Sequence, residues 1–252
     1  MSWLRLGIDI FRRRPGRRPW VYGHRGSSGE PENTLSAFEK AARDGADGIE
    51  LDVRLSADGE LVVMHDAMFE RVTDGRDHRH VAHLPYEEIR RIELGAGEVA
   101  PRLSEVLRFA RARQLRVNVE MKHGVPQRLP LAHATARQLA SVDPSLPIIV
   151  SSFDPLILAT FATLLPRVPR ALLVHRSKWS TLALETGQVW RDGLHVERTL
   201  TRDVVIQRLR RRGLLLNVWT VNDLREAMDL AEMGVDGIIT DVPGLVRAKF
   251  GD

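Results

Sequence analysis

Short apolar runs alternate with helix-length amphipathic stretches along nearly the whole chain, the rhythm of βα units laid over a parallel sheet. The runs that read as strands fall at about 20–24, 47–53, 116–121, 147–152, 171–175, 193–197, 214–219 and 236–240. Eight strands, most of them separated by a helix, predict an α/β fold closed as a TIM-type (β/α)8 barrel, whose reactive side chains belong at the C-terminal strand ends. His24, Asp52, Glu120, Phe153 and Trp219 all stand at such ends. One further run, Leu61 to His65, follows Asp52 after only Val53 to Glu60, too few residues for a crossover helix, so it returns antiparallel. Asp58-Gly59 is a two-residue hairpin signal, and a turn centred there sets Asp52 directly opposite His65, on one face with Glu50. A slip of one residue would turn His65 to the other face.

Residues 67–100 break the rhythm with a charged stretch, Asp77-His78-Arg79-His80, and glycines at 75, 95 and 97, which reads as a short insertion over the barrel mouth. Pro101 to Gln114 reads as the next helix, and Leu35 to Ala42 as an earlier one that Asn33 or Thr34 can cap. No repeat or second-domain linker interrupts 19–252, which is expected to be one barrel domain behind a basic N-terminal arm, 1–18.

A length of 252 residues suits one large α/β domain, and 43% hydrophobic with 28% charged residues is ordinary for a globular chain. Cysteine is absent, so thiolate metal sites are excluded and oxygen and imidazole remain as ligands, which favours hard cations. Much of the net charge of +4 is local, because Arg12, Arg13, Arg14, Arg17 and Arg18 cluster before the first strand. Nucleic acid is therefore not expected as a partner. Ser2 to Phe11 is apolar but short and interrupted by Arg5 and Asp9, far below the roughly 20 residues of a spanning helix. Its order of charge and apolar residues is the reverse of a secretory signal, and the chain reads as cytoplasmic. The arm is expected to be solvated or to cap the barrel bottom, with weak contact to a membrane surface as the other reading.

Glu50, Asp52 and Glu120 would converge on the barrel mouth, where three carboxylates repel one another unless a cation neutralises them. An oxygen-only ligand set suits one divalent cation, Mg²⁺ or Ca²⁺. His24 and His65 reach the same mouth from different strands, and a pair of imidazoles near neutrality takes one proton and donates another. Phosphodiester hydrolysis needs those two transfers plus charge neutralisation at the nonbridging oxygens, which Arg25 and Lys122 can supply. Phe153 and Trp219 offer large apolar walls to a substrate, and Asn222 a polar group.

Taken in order, His24-Arg-Gly, Pro31-Glu-Asn-Thr, Gly48-Ile-Glu-Leu-Asp52, His65-Asp66, Asn118-Val-Glu120-Met-Lys122, Ser152-Phe153, Trp219-Thr-Val-Asn222 and Gly237-Ile-Ile-Thr-Asp241 make the chain resemble the glycerophosphodiester phosphodiesterase family from about Val21 to Leu245. The resemblance implies metal-dependent hydrolysis of glycerophosphodiesters to glycerol 3-phosphate and an alcohol. It implies Glu50, Asp52 and Glu120 as metal ligands, His24 and His65 as the acid/base pair, and Arg25 and Lys122 as phosphate contacts. Lysophospholipase D-type hydrolysis at the same centre and a non-catalytic phosphate-binding module are the other expectations it leaves. Downstream of His65-Asp66 the family's Arg-x-Thr and glycine pair survive here only as Arg71-Val-Thr73 and Gly75, with Arg76-Asp77 in place of the rest.

Overall fold

The computed structural model describes residues 7–124, 127–176 and 192–251. Eight parallel strands close into a barrel: β1 (Trp20–His24), β2 (Gly48–Leu55), β4 (Arg116–Met121), β5 (Ile148–Ser152), β6 (Arg170–Val174), β7 (Gly193–Glu197), β8 (Leu215–Trp219) and β9 (Gly237–Thr240). Neighbours follow chain order, and the pairing of β1 with both β2 and β9 leaves no parallel edge open. The expected fold and all eight expected strands are therefore present. Among the described residues the longer helices around the barrel are α1 (Leu35–Arg43), α2 (Leu103–Ala112), α3 (Arg128–Ala140), α4 (Pro155–Leu164), α5 (Asp203–Arg211), α6 (Leu224–Met233) and, after the last strand, α7 (Pro243–Phe250). None is long and apolar enough to cross a membrane.

The main core lies between barrel and helices, where Val21, Ile49, Leu51, Val117, Val119 and Val150 meet Phe38, Leu103 and Phe161. Inside the barrel, apolar packing fills the bottom. Ile8 and Phe11 of the N-terminal arm are buried against Tyr22, Ile149, Ala171, Leu215 and Ile239. Above them sits a polar belt: Ser151 Oγ donates to Asn118 Oδ1 at 3.0 Å, and His195 lies between Asn118 and Asn217. Burial pushes the His195 imidazole down to about 3, so it is a neutral spacer.

The fifth apolar run forms β3 (Leu61–Val63), antiparallel to β2 as expected, but its register differs from the expected one. Val53 pairs with Val63, and the Met64 amide donates to the Asp52 carbonyl, so Asp52 faces Met64 and not His65. The turn has three residues, Ala57-Asp58-Gly59, closed by the Ser56 amide on the Glu60 carbonyl at 3.0 Å. Gly59 takes the left-handed φ of 83° that ends such a loop. Asp58 is pinned by Ser56 Oγ and by the Tyr86 amide, which draws one extra residue into the turn. His65 still enters the mouth. The strand stops at Val63, and the Arg54 guanidinium grips the His65 carbonyl with two bonds of 2.9 and 2.7 Å.

Residues 67–100 build a small core of their own, Phe69, Val81, Tyr86, Ile89, Ile92 and Ala100, packed on Val62 and Met64 of the hairpin. From this segment Arg71 reaches back to Glu32 and Asp66.

Candidate active site

His24 ends β1, and the chain turns at once through Arg25-Gly26. Gly26 has φ 103°, and a Cβ there would lie 2.5 Å from Ala37 Cβ, so glycine alone lets this turn lie against α1. The turn aims the Arg25 amide at Glu50 Oε2, 3.0 Å away. Thr34 caps α1, accepting the Ala37 amide at 3.3 Å, while Asn33, the other expected cap, turns into the site. Its Nδ2 donates to Asp52 Oδ2 at 2.9 Å, and its Oδ1 accepts the Asp52 amide at 3.3 Å. Asn33 holds this pose with a left-handed φ of 61°, which asparagine tolerates and alanine resists. Asn33→Ala strips a buried carboxylate of a donor and strains the backbone, and is expected to cost about 2–4 kcal/mol of unfolding free energy. Urea denaturation measures this, and a cost within about 0.5 kcal/mol of zero would mean that water replaces the amide.

Parallel register assembles the acids. Glu50 is opposite His24 on β1, and Asp52 is opposite Glu120 on β4. One oxygen from each of the three carboxylates lies within 4.8 Å of the others, with Asp52 only 1% exposed. Lys122 Nζ stands 3.1 Å from Asp52 Oδ1 and 2.8 Å from Glu120 Oε1. The second contact has ion-pair distance but not hydrogen-bond direction, so Glu120 Oε1 accepts no hydrogen bond. Arg25 Nε is 3.4 Å from Asp52 Oδ2, and Arg25 Nη1 donates to Glu32 Oε1 at 3.1 Å.

Burial, reinforced by the charge of Asp52, pushes the Glu50 and Glu120 carboxyls up to about 8. Burial acts on Asp52 too, yet Lys122, Arg25 and His65 together hold it below the ordinary carboxylate range. Two cations thus do not satisfy three acids. A buried oxygen-only cluster with an oxygen lacking a donor fits a hard divalent cation, and Glu50, Asp52 and Glu120 are the residues that would hold it.

Both histidines are oriented by carboxylates. His24 Nδ1 lies 2.7 Å from Asp241 Oδ1, and His65 Nδ1 lies 2.6 Å from Asp66 Oδ1. Those contacts favour Nδ1–H on each ring and leave Nε2 for the cavity. Burial lowers the His65 pKa, only partly opposed by the charge of Asp52. His24, Arg25, His65, Lys122, Phe153 and Trp219 line a cavity of about 410 Å³ that Glu50 and Glu120 also border. Phe153 meets Trp219 edge to face, with centroids 5.6 Å apart, and stands between His123 and His175 at 5.0 and 5.2 Å. All nine expected site residues thus converge on one mouth, with Asp52 behind the others. Asn222 does not face the cavity, because it spends its amide on Asp241 and its oxygen on Thr240.

Sequence reading passed over Asp66 and Asp241 as partners of the imidazoles, and Asn33, Glu32 and Arg71 as the frame around Asp52 and Arg25. The His65-Asp66 dipeptide and an acid closing the last strand were the available signals. For Asn33 the signals were its place beside a helix start and in the Pro31-Glu-Asn-Thr motif, and neither gave it a partner.

The model of the glycerophosphoryl diester phosphodiesterase family matches residues 24–245. A glycerophosphodiester phosphodiesterase of Caldanaerobacter subterraneus is 32% identical over 240 residues, 88% of this chain and 94% of the relative. One from Bacillus altitudinis is 32% identical over 239 residues, with coverage of 88% and 94%. Among solved structures, an Oleispira antarctica phosphodiesterase in complex with the product sn-glycerol-3-phosphate superposes with a TM-score of 0.84 at 27% identity. That match covers 92% of this chain and 96% of the other. A Thermotoga maritima glycerophosphodiester phosphodiesterase gives 0.76 at 30% identity, covering 91% and 97%. The chain belongs to the glycerophosphoryl diester phosphodiesterase family.

Proposed function

We propose that this protein hydrolyses small glycerophosphodiesters to glycerol 3-phosphate and an alcohol, with Mg²⁺ or Ca²⁺ at Glu50, Asp52 and Glu120. The observation that carries the reading is the meeting, in one cavity, of two carboxylate-oriented imidazoles and a buried three-carboxylate cluster. A bound divalent cation supplies charge neutralisation at the phosphate. The chain's own residues do the rest. Arg25 and Lys122 contact nonbridging oxygens, Arg25 through its planar fork. Nε2 of one histidine removes a proton from the nucleophile, which is water or the substrate's own 2-hydroxyl. Nε2 of the other gives a proton to the departing alcohol oxygen, so that proton balance is kept within the pair. Phe153 and Trp219 wall the cavity and limit water around the ester.

The test is release of glycerol 3-phosphate from glycerophosphocholine by the full chain with Mg²⁺, Ca²⁺ or EDTA. Turnover with one of the metals and none in EDTA is expected. Turnover undiminished in EDTA would remove the cation from the reading, and turnover of lysophospholipids alone would replace the substrate.

A further inference from the structure

The five clustered arginines of the arm do not share one role. Arg12 Nη2 donates to the Gly213 carbonyl at 2.5 Å, the Arg13 guanidinium is spent on the carbonyls of Ala231 and Arg17, and Arg18 grips Asp47 with bonds of 2.6 and 2.9 Å. With Ile8 and Phe11 buried, these three pin the described part of the arm beneath the barrel. Arg14 and Arg17 are left over. Both side chains are exposed at the tip of the arm, and neither forms an ion pair with a carboxylate among the described residues. They border a cleft of about 550 Å³ whose other walls include Trp20, Arg247 and Phe250.

Further cations extend the same face. Arg208, Arg210, Arg211 and Arg212 are exposed at the end of α5, next to the Gly213 carbonyl that Arg12 holds. Asp9, Asp44 and Asp47 are paired with Arg12, Lys40 and Arg18, and Asp229 and Glu232 on α6 are exposed carboxylates. The arm precedes residue 24, where the family match begins. Ile10, 45% exposed, lies among the cations.

We propose that this bottom end of the barrel docks on an anionic phospholipid surface, with Arg14 and Arg17 in the cleft taking lipid phosphates. Guanidinium pairs with phosphate through two parallel hydrogen bonds. Cations within a Debye length of an anionic leaflet each add to the attraction. An exposed isoleucine suits the bilayer interface, which a sugar-phosphate backbone does not offer. Geometry then fixes the orientation. The candidate active site is at the opposite strand ends, so a docked protein faces its mouth to the water and draws substrate from solution.

Co-sedimentation of the full protein with vesicles tests this without requiring turnover, so its failure is separable from failure of the proposed activity. Vesicles of equal parts phosphatidylcholine and phosphatidylglycerol should bind the protein, and pure phosphatidylcholine should not. Arg14→Glu with Arg17→Glu should weaken partitioning roughly tenfold or more, with an unchanged thermal melt and unchanged release of glycerol 3-phosphate in solution. Vesicle-bound protein should keep its turnover of water-dissolved substrate. Equal binding to both vesicles, or binding indifferent to the double substitution, would overturn the proposal. So would tighter binding of a DNA oligonucleotide than of the anionic vesicles at the same salt. Loss of turnover on docking would overturn the orientation.

Discussion

His24→Ala and His65→Ala are each expected to lower kcat roughly 10²–10⁴-fold, the range that one positioned acid or base contributes. The expectation rests on orientation as much as on presence. Each imidazole is held through Nδ1 by its own aspartate, Asp241 or Asp66, so each presents Nε2 to the same cavity. Removal of either ring leaves one of the two proton transfers without a partner, while Arg25, Lys122 and the carboxylate cluster stay in place. Binding of the ground state should change far less than kcat. Thermal melts accompany the kinetics, because both rings are part-buried but neither belongs to the apolar core.

The two variants should part company when the leaving group changes. A p-nitrophenyl ester of glycerol phosphate departs without protonation, so the variant lacking the general acid should recover most of its rate on it, whereas the variant lacking the base should not. Equal losses on both substrates for both variants would mean that the rings position the phosphate and transfer no proton. A substrate without its 2-hydroxyl tests the nucleophile: normal turnover requires attack by water, whereas internal attack predicts no turnover of it and, with the ordinary substrate, a cyclic glycerophosphate that water then opens.

Why some of this was legible in the chain and some was not follows from the range of each signal. Strand positions were written locally, since buried parallel strands are continuous apolar runs between amphipathic helices. Residues at strand ends inherited their place from that count, which is how Glu50, Asp52 and Glu120 could be grouped from sequence. The hairpin register was not local. Asp58-Gly59 reads as a two-residue turn until the Tyr86 amide, from the inserted segment, takes hold of the Asp58 carboxylate. The resulting slip puts Met64 opposite Asp52. His65 regains the mouth only because Arg54 fastens its carbonyl after the strand has ended. Asn33 is a similar case: a polar residue before a helix reads as a cap, and only the closed barrel brings Asp52 within its reach.

Without divalent cation the protein is expected to lose stability as pH rises from about 7 to about 8, and cation should restore most at the upper end. The sign follows from the carboxyls. Burial and the charge of Asp52 push Glu50 and Glu120 up to about 8, well above the 4.5 of a glutamate in the unfolded chain. Between those values the native protein holds protons that the unfolded chain has released, so unfolding is favoured increasingly as pH climbs. Asp52, held below the ordinary range, is ionised in both states and adds no slope, while His195, pushed down to about 3 by burial, takes up its proton only on unfolding and opposes the carboxyls below about 6.5, so the fall is read above that pH. A cation binds the ionised cluster and displaces those protons, so its effect grows with pH. At a concentration about 100-fold above its dissociation constant it should add about 2.7 kcal/mol, or roughly 5–10 °C in melting temperature for a chain of this size. Lys122→Met sharpens the test, because it removes the nearest compensating charge from Asp52 and Glu120. Metal-free, that variant should lose about 3–5 kcal/mol, the cost of breaking a buried ion pair by deleting one partner. Divalent cation should recover part of the loss, since positive charge returns to the same oxygens. Melts in EDTA that are flat or rise from about pH 7 to about pH 8, or a Lys122→Met defect that no divalent cation relieves, would refute the assignment of these three carboxylates to one cation.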